Sequence, residues 1–379
     1  MIRILHVISP GSGNFGGIEA FLCGYYQFID RSSIHFDFSF CGKNTMKLKM
    51  NDDIFKESEF TEYNVLKHNN NPVHSWIELI KALRTQVKTG KYDIVEIHSA
   101  SPLIEAMCGI ALYGISIKKI AHSHALAEPE SNIIKRLIGH ICKKIIQHSY
   151  DRFFSCSVEA ASVFGEKIVS SKKYNVIKNA VQSDKFAYNE SIRERVRDEN
   201  HIISDEIVMG TVARLSREKN QSFLIDVFVE FHNKQKKSKL WIVGGGDLRE
   251  DLELYANKVE MGNDVVFFGE RNDVNELLQG MDAFLITSFR EGLCISAIES
   301  QAAGLPTFVS SGVPDECNIT KEFHKLSLSQ SASEWAEYIH SVLEGHLREY
   351  NGNEVINNGY DLRTAMKELE SLYCSVIKE

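Results

Sequence analysis

Ser288-Phe-Arg-Glu-Gly-Leu-Cys-Ile-Ser-Ala-Ile-Glu-Ser-Gln-Ala-Ala-Gly-Leu-Pro306 is the stretch whose reading decides the fold. Ahead of it, Asp282-Ala-Phe-Leu-Ile-Thr287 is a short apolar run with a polar exit, the pattern of a buried parallel strand. Gly292 loosens the turn, and Cys294 to Ala303 then reads as a helix closed by Gly304 and Pro306. Glu291 and Glu299 have seven residues between them, so one sits on the loop and the other about two turns into the helix, facing one crevice. The unpaired N–H groups and positive dipole end of the helix open into the same crevice and make a seat for phosphate. An anion seat flanked by two carboxylates suits a ligand with a phosphate and many hydroxyls, as a sugar nucleotide has.

Working outward, strands and helices alternate. Toward the amino terminus the pattern gives strands at Ile207–Ala213, Lys239–Val243 and Val265–Gly269, with helices at Asn220–Asn233, Leu248–Val259 and Val274–Gln279. A charged segment, 182–204, has one short helical pattern and reads as a linker. Before it, a first alternating set runs from the strand Ile2–Ile8 to the helix Val158–Phe164, with a polar segment at 42–72 holding a short strand near Tyr63–Leu66. The last helix is Leu362–Ile377. Alternation of this kind implies two doubly wound α/β domains, with ligands beyond the carboxyl ends of the strands and the site expected in a cleft between the domains. The expected division is 1–182, a linker over 183–204, a second domain over 205–360, and a terminal helix over 361–379.

The totals agree with two soluble domains. The chain has 379 residues, 43% of them hydrophobic and 25% charged. Its eight cysteines are scattered without a C-x-x-C pair, which argues against a disulfide framework or zinc site and fits a reducing cytoplasm. The weakly polar run 106–117 has 12 residues, too few to span a bilayer, so a cytoplasmic location is expected, with the inner membrane face as an additional one. The net charge of −8 is unevenly spread: residues 1–190 carry 23 Lys and Arg against 19 Asp and Glu, residues 191–379 carry 20 against 32. Either the first half faces something anionic or surface charge has drifted.

Several motifs carry chemistry. Gly11-Ser-Gly13-Asn-Phe-Gly16 follows the first strand as a dinucleotide fingerprint would, yet the helix opens one glycine later and no acidic residue ends the second strand. The glycines Gly16 and Gly17 are better read as backbone approach to a diphosphate or an acceptor. His98, His122 and His124 fall at the carboxyl ends of strands. An H-x-H without cysteine or carboxylate partners fits a polar loop better than a zinc site, and His124 is the first candidate for a hydrogen bond to substrate, ahead of His98. Arg214, at the mouth of a buried strand, and Lys219, at the next helix, form a cation pair able to neutralise a leaving diphosphate. Gly244-Gly-Gly246 ends a strand in a turn where backbone can approach a ligand. In 132–148, an apolar stripe alternates with Lys135-Arg136 and Lys143-Lys144, as on a core-facing helix with a solvated side or on one lying at an anionic membrane.

Taken together these segments resemble the family-four retaining glycosyltransferases of GT-B fold, in particular bacterial exopolysaccharide-synthesis members. The resemblance rests on Gly16-Gly17-Ile18-Glu19, Ala121-His-Ser-His124, Val176-Ile-Lys-Asn179, the Arg214/Lys219 segment, Val243-Gly-Gly-Gly246-Asp, Phe267-Phe-Gly-Glu-Arg271 and the opening stretch. It implies two Rossmann-like domains facing each other across a cleft. It also implies that Glu291 contacts the donor sugar and Glu299 the ribose. Arg214 and Lys219 would grip the diphosphate with backbone at Gly17, Gly246 and 292–296 (Gly292, Leu293, Cys294, Ile295, Ser296). Arg271 and its loop would hold the base, and His124 would lie near the reacting sugar with Glu19, His98 and His122 on the acceptor side. Lys178-Asn179-Ala180 stands where members often carry Pro-Asn-Gly.

The implied activity is retaining transfer of a hexosyl or N-acetylhexosaminyl group from a UDP-sugar to a saccharide, lipid-linked in surface polysaccharide synthesis, with no cofactor and no nucleic-acid partner. The last helix is expected to return to the first domain. The sequence contains no D-x-D triplet, so no metal is expected at the diphosphate. A UDP-sugar epimerase of the same architecture, an NAD-dependent oxidoreductase and a catalytically silent partner of a biosynthetic complex stand as alternatives.

Overall fold

The computed structural model describes residues 1–9, 17–41, 55–63, 72–99, 101–124 and 132–379, except the side chains of 72–75 and 135. Gly11–Gly16 and most of 42–72 lie outside them. The chain divides into two units, Met1–Ala180 with Leu362–Glu379, and Val181–Asp361.

In the first unit, strands β1 (Ile2–Ile8), β2 (Ile34–Phe40), β3 (Phe60–Glu62), β4 (Ile94–Ser99), β5 (Lys118–Ser123), β6 (Arg152–Ser155) and β7 (Tyr174–Val176) form a parallel sheet in the order β3-β2-β1-β4-β5-β6-β7. Strands β2 and β4 are buried at every position, as strands covered on both faces must be. Helices α1 (Gly17–Phe28), α2 (Pro72–Thr89), α3 (Pro102–Ala111), α4 (Ile133–Ser149) and the single turn α5 (Glu166–Val169) supply the covering layers. The short strand expected near 63–66 falls three residues earlier, and the helix expected at 158–164 is a 3-10 turn over Glu159–Val163.

The second unit opens with α6 (Ser183–Phe186) and α7 (Glu190–Glu199), in the segment expected to be a linker. Its charges are structural contacts. Arg193 Nη2 donates to Asp282 Oδ1 at 2.6 Å, and Arg197 donates to Asp282 Oδ2 and to Gly280 O, each at 3.1 Å. Asn189 caps α7, its side chain accepting from Ile192 N. Strands β8 (Ile207–Val212), β9 (Ser238–Val243), β10 (Val265–Gly269), β11 (Ala283–Ile286), β12 (Thr307–Ser310) and β13 (Phe323–Leu326) form a second parallel sheet, β10-β9-β8-β11-β12-β13. It is covered by α8 (Gln221–Lys234), α9 (Arg249–Lys258), α10 (Val274–Gly280), α11 (Ile295–Ala302), α12 (Ala332–Leu343) and α13 (Gly352–Asn357). Strands β12 and β13 and helix α12 lie beyond the elements read from the sequence.

Helix α14 (Leu362–Lys378) belongs to the first unit, where Leu362, Ala365, Met366, Leu369, Tyr373 and Val376 are buried in the core with Phe36, Ile94 and Phe154. In each sheet the order reverses between the unit's first and fourth strands, β1 and β4 or β8 and β11. Loops leave such a switch point in opposite directions and open a crevice at the carboxyl ends.

Candidate functional site

At the switch point of the second unit, the loops after β8 and β11 meet. Asn220, in the left-handed region at φ 54°, ends a 3-10 turn over Arg217–Lys219 and turns the chain into α8. Its side chain donates to Thr287 O at 3.2 Å, while Thr287 Oγ1 donates to Asn220 O at 2.9 Å. Phe289 N donates to Glu218 O at 2.8 Å, so side-chain and backbone bonds together stitch the two loops. The stitching brings Lys219 Nζ to 2.6 and 2.7 Å from the two oxygens of Glu291, and Ser288 Oγ donates to Glu291 at 2.6 Å. Arg214 is exposed; its carbonyl accepts from Gln221 Nε2 at 2.8 Å, while its guanidinium makes no hydrogen bond or ion pair among the described residues.

The glycine turn after β9 has a packing reason. A Cβ on Gly244, at φ 136°, would stand 2.0 Å from Ala213 O, and one on Gly246, at φ 150°, 2.3 Å from Leu215 O. Leu215 N donates to Gly245 O at 2.8 Å. The glycines therefore let the β9 turn lie against the backbone on either side of Arg214 and fix where that cation emerges. Arg271, after β10, is held by Asp273 at 2.8 Å, with its guanidinium 5.8 Å from the Phe268 ring centre.

Helix α11 starts at the same crevice. Its N-cap, Cys294, makes no capping bond to the backbone, and the N–H groups up to Ser296 have no carbonyl within the helix to meet them. Glu299, just over one turn in, is half-buried, and its carboxyl has no hydrogen-bond partner among the described residues. Burial pushes its carboxyl up to about 7, with Lys185 pulling the other way. A desolvated carboxylate without donors is costly unless a ligand supplies them.

In the first unit, the carboxyl ends of β1, β4 and β5 hold a buried polar array. Tyr373 Oη donates to Glu96 Oε2 at 2.6 Å, and the other Glu96 oxygen lies 2.7 Å from His122 Nδ1. His6 Nδ1 pairs with His98 Nε2 at 2.8 Å, and His98 Nδ1 with His124 Nε2 at 2.9 Å. Phe21 of α1 stands edge-on to His122 and His124, at 5.2 and 5.4 Å between ring centres. Burial holds His6 down at about 4, His122 at about 3, and His98 and His124 well below the usual imidazole range, so all four rings are neutral at pH 7. His124 Nδ1 has no partner among the described residues.

One nitrogen each from His98, His122 and His124 fall within 4.8 Å of one another. The rings of His122 and His124 stack, however, with centres 4.1 Å apart and 20° between planes. Their in-plane lone pairs run side by side and do not converge on one ion. Both nitrogens of His98 are already engaged, which also occupies the grouping of His98 with His6 and Glu96. Near the array, Glu19 is buried in the first turn of α1, and no described atom lies within 4 Å of a Cβ built on Gly17. Gly16 lies outside the described residues.

Each unit thus gathers its own set of expected residues. The second holds Arg214, Lys219, Gly246, Arg271, Glu291, Gly292 to Ser296 and Glu299 at one end of its sheet, and the first holds Gly17, Glu19, His98, His122 and His124. Lys219 and Glu291, read separately as diphosphate and sugar contacts, are partners of each other. The residues the sequence reading passed over are His6, Glu96 and Tyr373. A polar residue between apolar neighbours in a buried strand, as in Leu5-His6-Val7 and Val95-Glu96-Ile97, is the signal that points to the first two.

Comparison with known proteins adds to this geometry. Residues 192–360 match the family described as glycosyl transferases group 1. The chain is 25% identical over 382 residues to the putative glycosyltransferase EpsF of Bacillus subtilis, covering 98% of this chain and 96% of that protein. It is 23% identical to the UDP-Gal:alpha-D-GlcNAc-diphosphoundecaprenol alpha-1,3-galactosyltransferase of Escherichia coli, over 79% of this chain and 81% of the other. Among solved structures, Alr3699/HepE of Anabaena in complex with UDP superposes with a TM-score of 0.78 at 16% identity, over 99% of this chain and 100% of the other.

Proposed function

We propose, because residues 192–360 match the group 1 glycosyl transferases and the chain shares the GT-B fold, that it moves a hexosyl or N-acetylhexosaminyl group, with retention, from a UDP-sugar to a saccharide acceptor in surface polysaccharide synthesis. The observation that carries the reading is Glu299. A half-buried carboxylate without a donor lies one turn beyond an uncapped helix start that Lys219 approaches at Cys294, which matches a ribose next to a diphosphate. UDP in the HepE structure and the UDP-Gal donor in the name of the Escherichia coli relative support uracil as the base. The diphosphoundecaprenol acceptor in the same name supports a lipid-linked acceptor.

In this reading Glu299 holds the ribose hydroxyls, Arg271 and its loop the base, and the N–H groups from Gly292 to Ser296 the diphosphate. Arg214 and Lys219 meet the charge that develops as the leaving group departs, a contribution of about 3 kcal/mol per well-placed donor. Glu291 orients Lys219 and takes the sugar hydroxyls. The bond from the anomeric carbon to the diphosphate breaks on the face where the acceptor oxygen attaches, through an oxocarbenium-like state. His124, neutral and fixed by His98, orients the acceptor side, with Glu19 and His122 behind it. The cations and helix start supply the neutralisation that a metal ion gives in enzymes carrying D-x-D.

The test is a thermal-shift screen against UDP, GDP, UDP-sugars and NAD. Selective stabilisation by UDP or UDP-sugars is expected, since a ligand that binds the folded state raises its apparent stability. Stabilisation by NAD alone rejects the reading, and donor turned over without an acceptor into another nucleotide sugar moves it to an epimerase. Arg214→Ala should leave the fold intact, weaken stabilisation by UDP and lose transfer by roughly a hundredfold or more. Transfer should persist in chelator, and a strict need for Mg²⁺ would remove the metal-free part.

A further inference from the structure

A cavity of about 370 Å³ opens on the second unit between the start of α8, helix α9 and Phe289. Its size is that of a small-ligand site. Leu248, Leu252 and Tyr255 beside and along α9, with Phe289 from the loop after β11, give it a largely apolar wall. Phe289 is 60% exposed, an aromatic ring held out at the rim. Neither Lys219 nor Glu291 lines the cavity, although Arg217 stands two residues before the one and Phe289 two residues before the other. The cavity is thus distinct from that ion pair while touching both loops that carry it.

The polar groups of this wall are unmatched. Arg217, Ser222 and Asp251 are exposed, and no side chain among them makes a hydrogen bond or ion pair with the described residues. Arg217 and Asp251 carry opposite charges and line one cavity without pairing, whereas Arg249, also on α9, pairs with Glu253 at 2.8 Å. Gln221, 2% exposed, spends its amide nitrogen on Arg214 O and keeps its side-chain oxygen buried without a partner among the described residues. An unmatched buried acceptor at a cavity wall is a group that a ligand donor can satisfy. Tyr255 differs, since its hydroxyl already donates to Asp226 at 2.5 Å.

These groups select the chemistry of the occupant. A simple anion meets Asp251, a simple cation meets Arg217, and a wholly apolar molecule covers both charges without matching either. A sugar ring matches all of them. Its hydroxyls donate to the Asp251 carboxylate and accept from Arg217 and Ser222, while its C–H face packs on Phe289 and the Tyr255 ring. We propose that the cavity is a second saccharide site, separate from the donor crevice, which takes a short saccharide. The inference rests on the glycosyl transferase reading above and deepens it, because such an enzyme works among saccharides. A saccharide bound here would bridge the loops after β8 and β11 and stay beside Lys219 and Glu291.

The test is saturation-transfer NMR on the full chain with cellobiose, lactose and diacetylchitobiose, with and without saturating UDP. Transfer from the protein to at least one of these disaccharides is expected, unchanged by UDP. Asp251→Ala and Phe289→Ala should each weaken that binding by about tenfold, with an unchanged melting temperature. Absence of transfer to all of the disaccharides overturns the proposal, and so does binding that either variant leaves unchanged. Displacement by UDP places the sugar in the donor crevice and also overturns it. Binding of phenylalanine in place of the disaccharides, a zwitterion able to meet both charges, does the same. Disaccharide binding is read without a sugar donor and UDP stabilisation without disaccharide, so either reading can fail while the other stands.

Discussion

Lys219 and Glu291 show what a single ion pair can hold in readiness. With Glu291 also accepting from Ser288, the ammonium is fixed before any ligand arrives. Lys219→Met should therefore lose transfer and also leave Glu291 half-buried with only Ser288 as partner, which a lowered melting temperature would report. Glu299 gives a pH dependence. Burial pushes its carboxyl up from the usual carboxylate range to about 7, and hydroxyl donors favour the ionised form. UDP affinity measured by calorimetry should rise as pH increases through about 7 and level off above it, and Glu299→Gln should flatten the profile. The buried imidazoles carry the opposite linkage to stability. Their folded values lie below 6.5, so their contribution is full above pH 6.5 and lost as pH falls toward 4. Urea unfolding at pH 5 should show roughly 2 kcal/mol less stability than at pH 7 for each imidazole kept neutral in the native state. Most of the residues gathered at the switch point of the second sheet were legible because they stand in one contiguous stretch and one strand-to-helix junction. His6 and Glu96 were marked only as lone polar residues inside apolar strands, a pattern that signals a buried polar group but has no spacing to name its partners.

Among the elements, α7 was misread for a physical reason. Its composition is that of a linker, but Arg193 and Arg197 reach carbonyls and Asp282 at the amino-terminal edge of the second sheet. Arg197, 7% exposed, also donates to Ile203 O and to Glu206 O. Arg197→Ala strands these acceptors and should cost about 3 kcal/mol, read by denaturant titration. Helix α12 carries a signal that was present and passed over. Ser331 and Glu334 form a capping box, with Ser331 Oγ accepting from Glu334 N and Glu334 Oε2 accepting from Ser331 N at 2.7 Å. Ser331→Ala should cost about 1 kcal/mol. The strands before it are four residues each, too short for alternation to show.

At the scale of the whole molecule, alternation of strands and helices was enough to read two parallel α/β sheets, because the period switches cleanly in both halves. Strand order within each sheet was not legible, since periodicity says nothing about which strands are neighbours. The two units build their cores from separate residue sets, and the first completes its own with a segment from the far end of the chain. Tyr373→Phe removes the hydroxyl that Glu96 accepts from and should destabilise the first unit by about 1–2 kcal/mol. Proteolysis of that variant in mild denaturant should cut sites in the first unit sooner and leave those in the second unit unchanged. The same connectivity sets the order of events during translation. Residues 181–361 emerge from the ribosome with every strand of their sheet already made, whereas the first unit, synthesised earlier, must wait for residues 362–378 to close its core. The domain made first is thus the one finished last, and the nascent chain must keep an apolar surface shaped for α14 from sticking to anything else until that helix is released.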